Sequence, residues 1–231
     1  MDDSRNSEVK AVLFDIDGTL VDSNYLHIDA WDRAFAAVGH PVDLWRIHRA
    51  IGMDSGMLLD RLLGDDAEAL GEDAKAGHST FYSGSTDRLR AIGGSRELLA
   101  ELNRRGLRVV LATSAPEDEL RILLEVLGAD DSVQAVTSAG DVGTAKPDPD
   151  IIQTALDRAG VAPDEAVMVG DSVWDVEAAN RAGVRSIGVL SGGFGREELL
   201  STGASAVYDD VAALLRGIDK SLLGRPTTDD A

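Results

Sequence analysis

The stretch VLFDIDGTLVDS, residues 12–23, decides the fold of this 231-residue chain. The apolar residues from Val9 to Phe14 predict a buried β-strand, and Asp15 and Asp17 follow at its C-terminal end. Open α/β sheets bind ligands at that edge. Alternation along the strand points both carboxylates the same way, where they repel each other unless a cation lies between them. Mg²⁺ is the natural neutralising ion, so a magnesium site is predicted here. The alternative is a solvated acidic loop, which is common around Asp-Gly pairs.

Strand and helix patterns alternate from about residue 105 onward, which is typical of a parallel sheet with crossover helices. Together with the strand at 9–14, this pattern predicts an α/β fold with a doubly wound, Rossmann-like parallel sheet. The further predicted strands are 107–112, 133–137, 166–169, 186–190 and 204–208, and the helices between them are 117–127, 149–159, 174–182 and 210–216.

Residues from about 22 to 88 interrupt that alternation, because they show helical periodicity without a convincing strand. The sequence therefore predicts a core of residues 1–21 and 89–231 and an inserted all-helical cap domain of residues 22–88. Its two linkers flank the acidic motif, so the insertion is placed to close over a ligand and exclude water. A fixed helical decoration is the alternative. The helices predicted in the insertion are 27–38, 43–50, 55–63 and 66–82.

The composition excludes several classes of protein. A net charge of −19, from 41 acidic and 22 basic residues, argues against binding nucleic acid or anionic membranes, although it also fits adaptation to a salty cytoplasm. The absence of cysteine excludes disulfides and thiol catalysis. The first ten residues have no apolar signal-peptide core, and no apolar run approaches the roughly 18 residues of a membrane span. We expect a cytoplasmic protein that is a monomer or a homodimer.

Three further motifs carry candidate functional residues. Thr113 and Ser114 follow the strand at 107–112, where they bind a ligand or merely cap the next helix. Lys146, in TAKPDPDI, has no evident structural duty and is suited to neutralise nearby negative charge, although a free surface lysine is the alternative. Asp171 and Asp175 are four residues apart, so they can address one cation if a helix begins there.

These four motifs, in this order, identify the chain as a member of the haloacid dehalogenase-like hydrolase superfamily, in the subgroup with a helical cap after the first motif. The resemblance implies that Asp15 is a nucleophile that becomes an aspartyl phosphate and that Asp17 is the general acid and base. It also implies that the Thr113 hydroxyl and the Ser114 amide hold the phosphoryl oxygens, while Lys146 neutralises their charge.

The resemblance further implies a Mg²⁺ ion held by Asp15, the backbone carbonyl of Asp17 and Asp171, with Asp175 acting mainly from outside the ligand set. His27 is a candidate residue of the cap, because some capped phosphosugar mutases of this superfamily carry a histidine there. A lone histidine is otherwise most often structural.

The predicted function is that of a magnesium-dependent phosphomonoesterase, which hydrolyses a small metabolite of the phosphoglycolate or sugar phosphate type through an aspartyl phosphate. A phosphosugar mutase similar to β-phosphoglucomutase is the first alternative. Gly170 stands where those mutases have an acidic residue, and no arginine follows Gly52 and Met53 to hold a second phosphate, so hydrolysis is favoured. Haloacid dehalogenases proper lack the second acid, and a non-catalytic phosphometabolite-binding module needs neither a nucleophile nor an acid/base.

Overall fold

A six-stranded parallel sheet forms the centre of the structure, a computed structural model that describes residues 8–143 and 146–224. The strand order is β3-β2-β1-β4-β5-β6, and every neighbouring pair is parallel. The predicted α/β class and doubly wound sheet are therefore confirmed. The strands are β1 (Ala11–Phe14), β2 (Arg108–Ala112), β3 (Ala135–Thr137), β4 (Ala166–Gly170), β5 (Arg185–Val189) and β6 (Ala206–Tyr208).

The α-helices in the described part of the chain fall into two groups. Those between β1 and residue 88 are α1 (Asn24–Ala37), α2 (Leu44–His48), α3 (Ser55–Leu63) and α4 (Ala67–Ser83). Those that accompany the sheet are α5 (Ser95–Arg104), α6 (Glu117–Leu127), α7 (Asp150–Ala159), α8 (Val173–Arg181), α9 (Arg196–Thr202) and α10 (Val211–Arg216). The sequence patterns did not indicate α5, which follows directly on two glycines, or α9, which has only 7 residues.

Strand β1 lies between β2 and β4, and its residues are buried on both faces of the sheet. Val12 and Phe14 pack with side chains of α5, α6 and α10, whereas Ala11 and Leu13 pack with α7 and α8. Covering on both faces explains why this strand is apolar throughout instead of alternating. The strand order reverses beside β1, and such a switch point is where open α/β sheets form their ligand crevice.

Helices α1 to α4 share a separate apolar cluster, which includes Trp31, Phe35 and Leu62. The chain enters and leaves this helical segment through residues 20–22 and 90–92, which lie side by side and exchange backbone hydrogen bonds of 2.8 to 2.9 Å. The division into a core (1–21 and 89–231) and a cap (22–88) stays a prediction, and its outer ends at residues 1 and 231 lie outside the described residues. Across the described residues, no helix combines the length and apolarity needed to cross a bilayer.

Two leucines test how much the packing under the sheet stabilises the fold. Leu98 in α5 is 0% exposed, whereas Leu200 in α9 is 45% exposed. Replacing Leu98 by alanine removes buried methyl groups and leaves a cavity, so we expect a loss of about 2–5 kcal/mol in the free energy of unfolding. The matched variant Leu200→Ala should lose less than about 1 kcal/mol. Urea denaturation measures both, and equal losses would contradict this description of the core.

Candidate active site

Three adjacent strands deliver polar residues to one edge of the sheet. Phe14 of β1 pairs in register with Leu111 of β2 and Val169 of β4, so the residues that follow these strands lie at the same level. Asp15 and Thr113 thereby line a cavity of about 350 Å³, which helices of the inserted segment also line. The motifs singled out in the sequence therefore meet at the carboxyl ends of the strands, where a ligand is expected.

Lys146 is completely buried beneath this cavity, so the alternative of a free surface lysine is wrong. Its Nζ contacts Oδ1 of Asp15 and lies 2.7 Å from Oδ1 of Asp175. Burial alone lowers the pKa of a lysine, but the charges of these two carboxylates hold the pKa of Lys146 above its ordinary value. An ammonium without such partners would be very costly to bury. Lys146 therefore remains a cation among the acids of the site.

Three aspartates form a cluster that suits a divalent cation. Asp15, Asp171 and Asp175 each offer a carboxylate oxygen, and these atoms lie within 4.8 Å of one another. Oδ1 of Asp171 accepts a hydrogen bond from Thr19 (3.0 Å) and Oδ2 accepts one from Asn24 (2.9 Å). Burial and the neighbouring Asp175 nevertheless raise the pKa of Asp171 to about 7. Hard divalent cations such as Mg²⁺ and Ca²⁺ prefer oxygen ligands and would relieve this repulsion. The residues present therefore fit a cation of this kind.

Asp175 reaches the cluster from the first turn of α8. Ser172 precedes the helix and caps it, and Oδ2 of Asp175 accepts hydrogen bonds from the Ser172 backbone N (3.0 Å) and Oγ (2.6 Å). Asp171 therefore lies before the helix, and the two acids do not share one helical face. They approach each other through the turn between β4 and α8.

Two glycines leave the space that these acids occupy. A Cβ atom added at Gly170 would lie 2.4 Å from Cγ of Asp175, and one added at Gly192 would lie 1.6 Å from Oδ2 of Asp171. Any side chain at either position would displace a carboxylate of the cluster. The acidic residue that the mutases carry at the position of Gly170 therefore has no room in this arrangement.

The side chain of Asp17 lies outside the cluster and faces the inserted helices. Its Oδ1 accepts a hydrogen bond from Oγ of Ser23 (2.5 Å) and lies 3.3 Å from Nε2 of His27. Burial opposes ionisation of this carboxyl, but the bonds and charge of His27 and the bond of Ser23 outweigh it and lower the pKa of Asp17. Asp15 is thus paired with a lysine and Asp17 with a histidine. Different surroundings of this kind let two carboxylates take different roles.

Thr113 and Ser114 border the cavity and do not cap a helix. Helix α6 begins at Glu117 after Pro116, and Oγ1 of Thr113 instead accepts a hydrogen bond from the backbone N of Ala115 (3.0 Å). Oγ of Ser114 is buried and has no hydrogen-bond partner among the described residues. A buried hydroxyl without a partner is costly, so its position beside the cavity favours a bound polar ligand.

Polar contacts hold the inserted helices against the sheet edge around the cavity. The backbone N of Asp54 donates to the carbonyl of Lys146 (2.8 Å), and Nε2 of His48 is 2.9 Å from the carbonyl of Gly192. Arg49 pairs with Glu198 at 2.5 Å. The structure therefore places the inserted segment over Asp15 and Asp17.

Three residues of α4 that the sequence analysis did not single out also line the cavity, Lys75, His78 and Ser79. Nε2 of His78 lies 3.0 Å from Nδ1 of His27. A signal for this contact exists in the sequence, because each histidine has an aromatic residue four positions later, Trp31 and Tyr82, and this spacing places both rings on one helix face. The pairing between the two helices is not visible in the sequence.

The chain is similar to known proteins both in sequence and in structure. Residues 9–183 match the family model of haloacid dehalogenase-like hydrolases. A phosphoglycolate phosphatase of Rhodospirillum rubrum is 37% identical over 216 residues, which cover 89% of each chain. A phosphorylated carbohydrates phosphatase of Thermotoga maritima is 30% identical, covering 86% of this chain and 94% of that protein. The crystal structure of a hydrolase from Pseudomonas syringae superposes with a TM-score of 0.87 at 36% identity, covering 91% of this chain and 98% of the other.

The raised pKa of Asp171 makes the acid cluster testable through stability. Its value of about 7 in the folded protein lies above the roughly 3.9 of an unfolded chain, so its stabilising contribution is complete at low pH and is lost as the pH rises through about 7. In EDTA, Asp171→Asn should therefore gain stability relative to the wild type between about pH 5 and about pH 8. A divalent cation should then stabilise the wild type and not the variant. Thermal melts measure both effects.

Asp118 provides the matched control, because it also lines the cavity but is exposed and lies outside the acid cluster. The variant Asp118→Asn should keep the pH dependence and the cation effect of the wild type. If Asp171→Asn behaved in the same way, Asp171 would not be part of a cation site.

Proposed function

The chain belongs to the haloacid dehalogenase-like hydrolases, and we propose that it is a magnesium-dependent phosphomonoesterase that acts on a small phosphorylated metabolite through an aspartyl phosphate. The observation that carries this proposal is the buried contact between Asp15 and Lys146 at the cavity. A carboxylate held beside a buried cation is positioned to attack phosphorus, and the cation offsets the charge that the attack accumulates.

In the proposed first step, a carboxylate oxygen of Asp15 forms a bond to phosphorus while the bond from phosphorus to the ester oxygen breaks. Thr113 and Ser114 hold the phosphoryl oxygens, and this would give the buried Oγ of Ser114 the polar partner that it lacks among the described residues. Lys146 stays hydrogen-bonded to Asp15 and stabilises the transition state electrostatically. Catalysis in phosphoryl transfer depends mainly on such positioning and charge neutralisation.

Asp17 supplies the proton that the departing ester oxygen needs. Water then attacks phosphorus, Asp17 takes its proton, and phosphate leaves while Asp15 is regenerated. The hydrogen bonds from Ser23 and His27 to one oxygen of Asp17 orient the carboxyl for this exchange. Among the described residues, Oδ2 of Asp17 receives no hydrogen bond, so it is available to the substrate.

The proposed Mg²⁺ ligands are Asp15, the backbone carbonyl of Asp17 and Asp171. A bound Mg²⁺ would neutralise the charge between Asp15 and the phosphoryl group. Asp175 lies within reach of the same position, but its two oxygens are already engaged by Ser172 and Lys146, which supports a role outside the ligand set.

Residues 22–88 are proposed to act as a cap that encloses the substrate. Helices of this segment line the cavity and contact the core through Asp54 and Arg49. Enclosure excludes bulk water from the first step and strengthens the electrostatic interactions of Lys146 with the phosphoryl group.

The substrate class that this cavity favours is a phosphate ester with a second anionic group. Of the described residues that line the cavity, Lys75 is the single lysine or arginine, and it has no ion pair with the described part of the chain. The lining is otherwise rich in acids, among them Asp54, Asp118 and Glu119. A carboxylate at the far end of the substrate would therefore be drawn to Lys75. The phosphoglycolate phosphatase name of the Rhodospirillum rubrum relative supports such a substrate.

Replacing Asp15 by asparagine tests the proposed nucleophile. The variant keeps the shape of the side chain but cannot form an acyl phosphate, so we expect turnover of 4-nitrophenyl phosphate with Mg²⁺ to fall by at least about 10³-fold. The exposed Asp22, which lies outside the cavity lining, provides the control Asp22→Asn with unchanged turnover.

The same assay separates hydrolysis from the mutase alternative. Release of inorganic phosphate from a small phosphate ester, without conversion of β-glucose 1-phosphate in the presence of a bisphosphate, is the result expected for a phosphatase. Isomerisation without phosphate release would contradict the proposal. Retained Mg²⁺-dependent turnover in Asp15→Asn would also contradict it.

The role of Lys75 is tested by its replacement with methionine, which keeps the length of the side chain and removes the charge. We expect the KM for phosphoglycolate to rise about three- to tenfold, which corresponds to about 0.7–1.4 kcal/mol, with little change for 4-nitrophenyl phosphate. Lys220→Met removes an exposed charge elsewhere and should change neither value. An equal rise in KM for both substrates would mean that Lys75 does not recognise the carboxylate.

A further inference from the structure

A second buried histidine continues the hydrogen-bonded line that begins at Asp17. Nε2 of His27 lies 3.3 Å from Oδ1 of Asp17, and Nδ1 of His27 lies 3.0 Å from Nε2 of His78. Both rings are buried, His27 on α1 and His78 on α4. The line therefore runs from the proposed acid/base of the core into the inserted helices.

The protons along this line are constrained by the chemistry of the groups. Oδ1 of Asp17 accepts a hydrogen bond whether or not the other oxygen, Oδ2, carries the proton that is exchanged with substrate, so Nε2 of His27 carries the proton of the bond to Asp17. One proton must also lie between Nδ1 of His27 and Nε2 of His78, because otherwise two lone pairs would face each other at 3.0 Å. The hydrogen bond at one ring nitrogen of a histidine determines the tautomer and the orientation in which the other nitrogen is presented.

The environment of His78 keeps its ring neutral and thus able to serve as this partner. Burial, together with the charge on His27 when it is protonated, lowers the pKa of His78 to about 2. The charged groups that face the two rings are Asp17 and Glu119, and Oε1 of Glu119 lies 4.0 Å from Nδ1 of His78. Burial raises the pKa of Glu119 to about 7, so it adds little negative charge beside the rings at lower pH. The main polar partner of His78 is therefore His27.

Four aromatic rings stack in sequence around this contact and hold the planes of both imidazoles. The centroid distances are 4.2 Å between Trp31 and His78, 5.2 Å between His78 and His27, and 4.0 Å between His27 and Tyr82. A phenyl ring at position 78 would keep this stacking and lose only the nitrogen atoms. This property makes it feasible to separate packing from hydrogen bonding.

We propose that His78 is a positioning residue for the acid/base step, because its hydrogen bond to Nδ1 of His27 holds that ring with Nε2–H directed at Asp17. This inference rests on the proposed phosphatase function. His78 does not touch the reacting atoms in this scheme. It acts through His27 on the orientation of the Asp17 carboxyl.

The test compares His78→Phe with the wild type on two substrates that differ in their need for a proton. Nitrophenolate leaves without one, whereas the alkoxide of an alkyl phosphate such as phosphoglycolate requires it. In the variant, we expect kcat/KM for phosphoglycolate to fall at least about tenfold and kcat/KM for 4-nitrophenyl phosphate to stay within about threefold. The ratio kcat/KM reports the steps up to the aspartyl phosphate, whereas the later attack of water is common to both substrates. A purely structural role would change both substrates equally.

His78→Gln and His40→Gln complete the set. A glutamine amide can reach the position of Nε2, so His78→Gln should recover most of the lost kcat/KM for phosphoglycolate. His40 lies in the same segment and is 3.1 Å from Asp66, outside the cavity lining, so its variant should behave as the wild type. Failure of glutamine to improve on phenylalanine would overturn the proposal, as would equal losses of kcat/KM on both substrates.

A measurement on the wild type does not depend on any variant folding. The chain has 4 histidines, and ¹⁵N labelling of their rings should reveal a nitrogen–nitrogen coupling across the hydrogen bond between His27 and His78. Its absence would overturn the proposed contact. A wild type that shows the coupling but hydrolyses no phosphate ester would instead contradict the proposed function, so the two failures are distinguishable.

Discussion

The buried ammonium of Lys146 is the interaction on which the rest of the site depends. It lies between carboxylates that arrive from the end of β1 and from the start of α8, in a chain that carries a net charge of −19. Three ionised aspartates whose carboxylate oxygens lie within 4.8 Å of one another repel strongly in a buried site, and the positive charge of Lys146 reduces this repulsion. The other features of the site accommodate this cluster: Ser172 binds the remaining oxygen of Asp175, and Gly170 and Gly192 leave space for the acids.

The motif DID is divided between the two parts of the molecule. Asp15 faces the core and its cation, whereas Asp17 faces the inserted helices and a histidine. Identical side chains two residues apart therefore meet different electrostatic surroundings, and this difference supports different chemical roles. The inserted segment therefore shapes the surroundings of Asp17, because its partner His27 comes from α1 and the partner of His27 comes from α4.

Local sequence patterns were sufficient to predict most of the helices and strands. The helices at 55–63 and 117–127 have the predicted limits, and each predicted strand exists with shifts of one or two residues at its ends. Such elements are determined by apolar periodicity over a few residues. Helix α9 was not predicted because its 7 residues are too few to show a helical periodicity. Helix α5 was not predicted because it directly follows two glycines, which were interpreted as the end of the insertion.

The sequence by itself indicated which chemistry the chain carries, because its four motifs in order resemble those of the haloacid dehalogenase-like hydrolases. Three of these motifs come directly after predicted strands, and parallel strands end at a common edge. The sequence therefore placed Asp15, Thr113 and Asp171 in one neighbourhood. Only the tertiary structure decided the contacts between residues far apart in the chain. Lys146 and Asp15 are 131 positions apart in the sequence, and His78 and His27 are 51 positions apart. Such contacts depend on how helices pack and how chain segments close over the sheet, and no local periodicity encodes them. For the same reason, the residues proposed to select the substrate and to orient the acid/base became visible only in the folded chain.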